Sequence, residues 1–146
     1  MKTAPLALAA ALTLALPAGA SAADPAEGHW LTQGGSARVR VAPCANDKAK
    51  MCGTIVWLRN PNGPDGRPQT DVNNPDPALR DRPVVGLMLI RDFKPAGPGK
   101  WAGGKIYDPE SGRTYASKIA VNGDGTLKVE GCIAVVCQAQ TWRRAS

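Results

Sequence analysis

The stretch "RTYASKIAVNGDGTLKVE", residues 113–130, has the pattern of an antiparallel β-hairpin. From Tyr115 to Val121 alternate side chains share one face, and the same period of two resumes from Leu127 to Val129. The intervening "NGDG", residues 122–125, contains residues that tolerate positive φ and so can reverse the chain. This hairpin predicts a β protein rather than a helical one.

Similar strand-like segments recur along the rest of the chain. "ARVRVA", residues 37–42, alternates apolar and charged side chains, while "GTIVWL", residues 53–58, is a continuous apolar run of strand length. Eight strands are predicted, at residues 28–33, 37–42, 51–58, 84–93, 100–107, 113–121, 126–131 and 137–143. We therefore expect one all-β domain, an eight-stranded antiparallel barrel, with a sandwich as the alternative.

The first 22 residues have the three parts of a secretory signal. Lys2 supplies a positive start, Leu6–Leu16 an apolar run, and "ASA" at residues 20–22 a small-residue cleavage site. The apolar run is shorter than the about 20 residues that span a bilayer. We expect residues 1–22 to be removed, residues 23–146 to form the domain, and the protein to be periplasmic or secreted.

The full chain carries a formal net charge of +6 at pH 7, and removal of Lys2 with the signal peptide leaves +5. That charge suits an anionic partner such as envelope lipid or polysaccharide, so contact with a membrane surface is one interpretation, and a simple solubility role is the other. Export argues against nucleic acid as a partner. The pattern does not indicate an oligomeric state.

Four cysteines form two close pairs, Cys44 with Cys52 and Cys132 with Cys137. In an oxidising compartment an even count favours disulfides, and three pairings are possible. Zinc is the alternative, but the chain has no CxxC motif and its one histidine, His29, is distant in sequence. We predict the two local disulfides and no metal site.

A long Pro-, Asn- and Asp-rich loop separates the third and fourth predicted strands. Its Asp71, Asn74 and Arg82 are candidate functional residues. The segment resembles a calcium loop only at its start, because counting from Asp71 the sixth position lacks glycine and the twelfth is Arg82 rather than glutamate. Two interpretations stay open: a flap across one barrel end, or a connection pinned by Asp–Arg pairs.

Within this loop Asp76 and Pro77 have the signature of a helix start, so a single helical turn is predicted there. Leu79 is expected to be its apolar anchor.

Catalytic motifs are absent from the sequence. His29 lies beside Trp30 in a predicted strand, there is no G-x-S-x-G motif, and Asp108 and Glu110 belong to a turn. We therefore expect no enzymatic activity and no cofactor.

Aromatic and amide side chains instead suggest a small-molecule site. Trp101, Lys105 and Tyr107 are predicted to share one face of a strand, because they occupy alternate positions. The full set of candidate ligand-binding residues is Trp57, Trp101, Lys105, Tyr107, Tyr115 and Gln140. The alternative is that the rings simply fill the barrel, and the Gly103–Gly104 pair is typical of a bulge.

The segment "CIAVVC", residues 132–137, places four apolar residues between two cysteines at a predicted hairpin tip. A buried turn is the favoured interpretation. Insertion into the barrel mouth, or docking on a membrane or partner, is the alternative.

Several motifs resemble one exported bacterial family, domain of unknown function 2147. They are "MCGTIVWL" at 51–58, "DVNNPDPALRDRPVVG" at 71–86, "WAGGKIYDPESGRTY" at 101–115 and "QTWRR" at 140–144. The resemblance implies a lipocalin-like (calycin) barrel and brings no established activity or cofactor.

In addition, Gly28 and Trp30 resemble the G-x-W of the first lipocalin strand. That resemblance implies that Trp30 plugs the closed end of the barrel, with Arg143 or Arg144 against it.

Taken together, these patterns predict an exported lipocalin-like barrel that binds a small, partly apolar ligand such as an amphiphile or lipid. A structural or protein-interaction module with a filled barrel is the second hypothesis, and a hydrolytic enzyme is the third.

Overall fold

The computed structural model describes residues 11–16 and 22–146. Within these residues the chain forms eight strands, β1 Gly28–Leu31, β2 Ala37–Pro43, β3 Met51–Leu58, β4 Met88–Gly97, β5 Lys100–Asp108, β6 Arg113–Val121, β7 Leu127–Ile133 and β8 Val136–Arg144. Most of the predicted signal peptide lies outside the described residues. Among the described residues, no helix has the length and apolar character that crossing a membrane requires.

Each strand pairs antiparallel with the next, and β1 pairs with β8, so the sheet closes into a barrel. The hairpin at residues 113–130 is β6 and β7, in register from Ala116 opposite Cys132 to Val121 opposite Leu127. Connections β1–β2, β3–β4, β5–β6 and β7–β8 lie at one end, which we call the open end. The other connections lie at the closed end. The predicted barrel is confirmed.

The fourth strand begins later than predicted, at Met88 instead of residue 84. Gly86 has φ +97°, and its N–H donates to the Ile55 carbonyl at 2.7 Å, so the chain turns before it enters the strand. Val84 and Leu87 are nevertheless buried. The apolar run therefore reflects core packing of a turn as well as a strand.

Trp30 fills the closed end of the barrel. Its side chain is fully buried, and its indole N–H donates to the Ala26 carbonyl at 2.8 Å. The Arg144 guanidinium lies 4.0 Å from the ring centroid and donates to the Glu27 carbonyl at 2.6 Å. A side chain at Gly28, which has φ +130°, would collide with this guanidinium. The implied tryptophan plug is confirmed, with Arg144 as its basic partner.

Both predicted disulfides are present, Cys44–Cys52 and Cys132–Cys137. The first ties the β2–β3 connection to β3. The second joins two residues that lie opposite each other in the β7–β8 pair. All four thiols are therefore consumed, and two disulfides indicate an extracytoplasmic protein.

Candidate ligand-binding cavity

The open half of the barrel is hollow. It holds a cavity of about 1240 Å³, which is lined by residues from the connections at the open end as well as from the strands. Small-molecule sites in proteins are commonly about 300–1,000 Å³. The cavity therefore has room for a ligand of that size together with water.

The inward face of β8 shows how the lining changes with depth. Trp142 lies deepest, opposite Leu127, and Gln140 and Gln138 follow toward the open end, opposite Val129 and Gly131. The Trp142 indole N–H donates to the Gln140 side-chain oxygen at 2.9 Å. The deep wall is thus apolar with its one polar ring atom satisfied, and a band of amides lies above it.

Gly131 leaves room in this wall. A side chain built on it would meet only the side chains of Tyr115 and Ile106, at 3.6 Å and more, which is ordinary van der Waals contact. On the neighbouring strand Tyr115 and Arg113 face the cavity toward the mouth. Sequence reasoning missed Gly131 and Arg113. The one available signal was a glycine that interrupts the alternation of β7.

Three of the six predicted ligand-binding residues line the cavity: Tyr115 and Gln140 from the inner face of the barrel, and Tyr107 from beneath the long loop, where it bonds Asp71. The other three, Trp57, Trp101 and Lys105, lie elsewhere on the barrel. A ligand in this cavity would not contact them. Ligand binding itself stays a prediction.

The prediction that Trp101, Lys105 and Tyr107 share one face of β5 is wrong, because the strand contains a bulge. The register with β6 shifts between Trp101 and Gly104, and Gly103 has φ +69°. Beyond the bulge Lys105 and Tyr107 face outward, whereas Trp101 lies opposite the buried Ile119. The bulge that the glycine pair suggested is confirmed.

The two tryptophans outside the cavity have other partners. Trp101 is buried, and its indole N–H donates to the Asp24 carboxylate at 3.1 Å. Trp57 follows a register shift between β2 and β3, so it faces the outer surface under the Arg38 guanidinium, 4.8 Å from the ring centroid. Both rings therefore have structural roles in the barrel wall.

The three loop candidates converge on Tyr107. Asp71 is fully buried, and one of its carboxylate oxygens accepts a hydrogen bond from the Tyr107 hydroxyl at 2.6 Å. The other oxygen accepts from the Asn74 amide and from Arg82, each at 2.9 Å. Because both oxygens are engaged by protein donors, the carboxylate holds the loop onto the outer side of β5.

The rest of the loop is ordered by local contacts. A 3-10 turn at Pro77–Leu79 is capped by the Asp76 carboxylate, which accepts from the Ala78 N–H at 3.0 Å, so the predicted helical turn is confirmed. Leu79 is 38% exposed and the turn buries none of its residues, so the predicted role of Leu79 as an anchor is wrong. The buried polar side chain of Asp71 performs that role.

The loop also reaches the cavity mouth. Asn73 donates to the carbonyl of Glu110 at 2.8 Å, and Gly112, at φ +70°, packs against the Asn73 backbone where no side chain would fit. Both Asn73 and Val72 line the cavity. The loop is thus a structured wall at the open end, pinned by the Asp71–Arg82 pair.

Burial and hydrogen bonding shift the pKa values of both Tyr107 and Asp71. Burial raises the pKa of Tyr107 to about 12, and the bond to the Asp71 carboxylate acts in the same direction. For Asp71 burial opposes ionisation, but the hydrogen bonds from Tyr107, Asn74 and Arg82 outweigh it and lower its pKa below 3.8. The stability that ionised Asp71 contributes is therefore present above pH 3.8 and is lost as the pH falls through its folded-state pKa.

Alkaline pH should destabilise the fold, because it ionises the Tyr107 hydroxyl that bonds Asp71. The unfolded phenol ionises near pH 10.0 and the folded one at about 12, so its contribution is complete below pH 10.0 and is lost as the pH rises toward 12. We expect the melting temperature to fall over that interval less steeply in Tyr107→Phe than in the wild type, as measured by circular dichroism. Tyr115→Phe should keep the wild-type slope. Equal slopes in all three proteins would contradict the assignment.

Comparison with known proteins gives a family and a fold. Residues 28–144 match the model of a family described as "Uncharacterized protein conserved in bacteria (DUF2147)". Among solved structures the chain is similar to the protein HP1028 of Helicobacter pylori, which is described as belonging to the lipocalin family, with 24% identity, 82% of each chain covered and a TM-score of 0.70. No curated protein matches the chain. At this identity the structural similarity shows the fold alone.

Proposed function

Since the chain belongs to the DUF2147 family and folds as a lipocalin-like barrel, we propose that it binds a small, partly apolar molecule in the cavity at the open end. The observation that carries this proposal is the hollow interior of about 1240 Å³, because a barrel that served only as a structural module would have no need of an open cavity. We further propose that binding takes place in the cell envelope, after export. The disulfides support that location.

The lining favours a ligand with an apolar body and a few polar groups. Leu58 and Ile106, which line the cavity and are only partly buried, offer apolar surface whose removal from water is worth about 25 cal/mol per Å². Nearer the mouth the Gln138 amide and the Tyr115 hydroxyl make no hydrogen bond to any described residue, so they are available to a polar ligand group. This arrangement suits a single-chain amphiphile.

We propose a binding protein rather than an enzyme. Asp71 is the one fully buried carboxylate among the described residues, and three side chains already hold it. The mouth carboxylates Asp108 and Glu110 make hydrogen bonds within the β5–β6 turn or face solvent. No described acid therefore combines burial with a free oxygen directed at the cavity.

Filling the cavity tests the proposal. Gly131→Leu adds a side chain to the cavity wall without touching backbone, so it should weaken binding of a fluorescent fatty acid by at least about tenfold while the fold is retained. Ala116→Leu is the matched control, because it adds a similar side chain to the exposed outer face of β6. Affinity is measured by titration of the delipidated protein. Unchanged affinity in Gly131→Leu, or no binding by the wild type to any amphiphile, would overturn the proposal.

A further inference from the structure

The β7–β8 connection ends in an apolar tip, residues 133–136, that projects into solvent. Val135 is 96% exposed, and Ile133 and Val136 are 65% and 68% exposed. The buried turn that the sequence favoured is therefore wrong. The Cys132–Cys137 disulfide closes the base of the tip, so these side chains are presented on a short, cross-linked hairpin rather than on a long loop.

The chain segment that forms the tip and the first part of β8 carries no charge. From Gly131 to Trp142 the sequence "GCIAVVCQAQTW" contains no acidic or basic residue, in a chain of which 21% is charged. A charged side chain costs about 2.5–3.5 kcal/mol or more when it enters hydrocarbon. The tip can therefore enter an apolar phase together with the start of β8 at no such cost.

The tip also forms part of the cavity mouth. Ile133 and Val136 line the cavity, whereas Val135 does not line it and is exposed to solvent. Whatever covers the tip therefore lies next to the cavity opening. Three aliphatic side chains offer much less area than the roughly 800 Å² per partner of a stable protein interface, so the tip alone is too small for a second copy or another protein. A bilayer requires no such matched surface.

We propose that the β7–β8 tip docks the open end of the barrel on a phospholipid bilayer, from which an amphiphile passes into the cavity. Only the passage of the amphiphile into the cavity rests on the proposed function. Docking follows from the exposed aliphatic residues. The net positive charge, +6 for the full sequence and +5 without Lys2 of the predicted signal peptide, complements an anionic bilayer surface. One inserted hairpin tip gives reversible contact rather than permanent anchoring.

Val135→Asp separates docking from binding. Val135 does not line the cavity, so this variant should bind a monomeric fluorescent fatty acid as the wild type does. The fraction of this variant that floats with phosphatidylglycerol–phosphatidylethanolamine vesicles should fall roughly tenfold or more. Burying a valine side chain contributes about 1.5 kcal/mol or more, which corresponds to a factor of about ten in affinity. The rate of transfer of the same fatty acid from the vesicles should fall in parallel. Val135→Leu should dock at least as well as the wild type.

Gly123→Asp is the charge-matched control. It places the same charge on the β6–β7 turn at the closed end, where a side chain meets nothing within 4 Å. Wild-type flotation by this variant, together with loss in Val135→Asp, supports docking through the tip. Equal flotation of Val135→Asp and Gly123→Asp overturns the docking proposal. If the wild type floats through Val135 yet binds no fatty acid, docking stands and the proposed binding function fails.

Discussion

Replacing Trp30 with alanine should lower the free energy of unfolding by roughly 3–5 kcal/mol, the usual range for a buried aromatic side chain. The ring is fully buried at the closed end, and the change also removes the acceptor face for Arg144 and a hydrogen bond to the Ala26 carbonyl. The few backbone pairs between β1 and β8, from Trp30 to Arg144 and from Leu31 to Arg143, close the barrel there. We therefore expect closure of the barrel to depend on this side chain.

Trp57→Ala is the natural comparison for that experiment. Trp57 is 37% exposed and stacks with one arginine on the outer surface, so its loss should cost only about 1 kcal/mol. Urea unfolding followed by tryptophan fluorescence and by far-ultraviolet circular dichroism measures both variants. A loss for Trp30→Ala no larger than that for Trp57→Ala would show that the closed end does not depend on the plug.

Asp71→Asn should lower the free energy of unfolding by about 3 kcal/mol. The substitution keeps the shape of the side chain but removes a buried charge that accepts from Tyr107, Asn74 and Arg82, and the new amide directs a donor at groups that are themselves donors. Released from β5, the loop should become sensitive to limited proteolysis between residues 60 and 83. Urea unfolding and the mapping of protease cuts report the two effects separately.

The same chemical change at Asp76 provides the control. Asp76 caps an exposed 3-10 turn in the same loop, and asparagine is as good a cap as aspartate, so Asp76→Asn should change stability by less than about 0.5 kcal/mol. Similar losses for Asp71→Asn and Asp76→Asn would mean that the buried carboxylate does not hold the loop.

The two ends of the barrel thus use different forces. At the closed end an apolar ring excludes water, and at the open end a buried charge with three donors holds a long loop beside the cavity mouth. A polar anchor is specific in geometry, because each hydrogen bond requires a defined distance and direction. That property suits a wall which must stay ordered while the cavity beside it remains accessible.

Most of the secondary structure could be predicted from the sequence. Seven of the predicted strands lie within a few residues of the observed ones, because alternation is a local property of each segment and turn residues such as those at 122–125 mark its ends. The disulfide pairs followed from short separations in sequence. The closed-end plug followed from the resemblance of Gly28 and Trp30 to a known motif.

The tertiary structure alone decided which side chains line the cavity. A single extra residue in a strand reverses every side chain beyond it, and the bulges near Gly103 and near Trp57 turned Lys105 and Trp57 away from the cavity. Trp101 is absent from the cavity for another reason, because it is buried in the core beside Asp24. Asp71 and Tyr107 are 36 residues apart, so no local pattern could pair them. The hollow interior and the exposed tip likewise depend on how eight strands close around one another, because volume and exposure are properties of the whole barrel and not of any one segment.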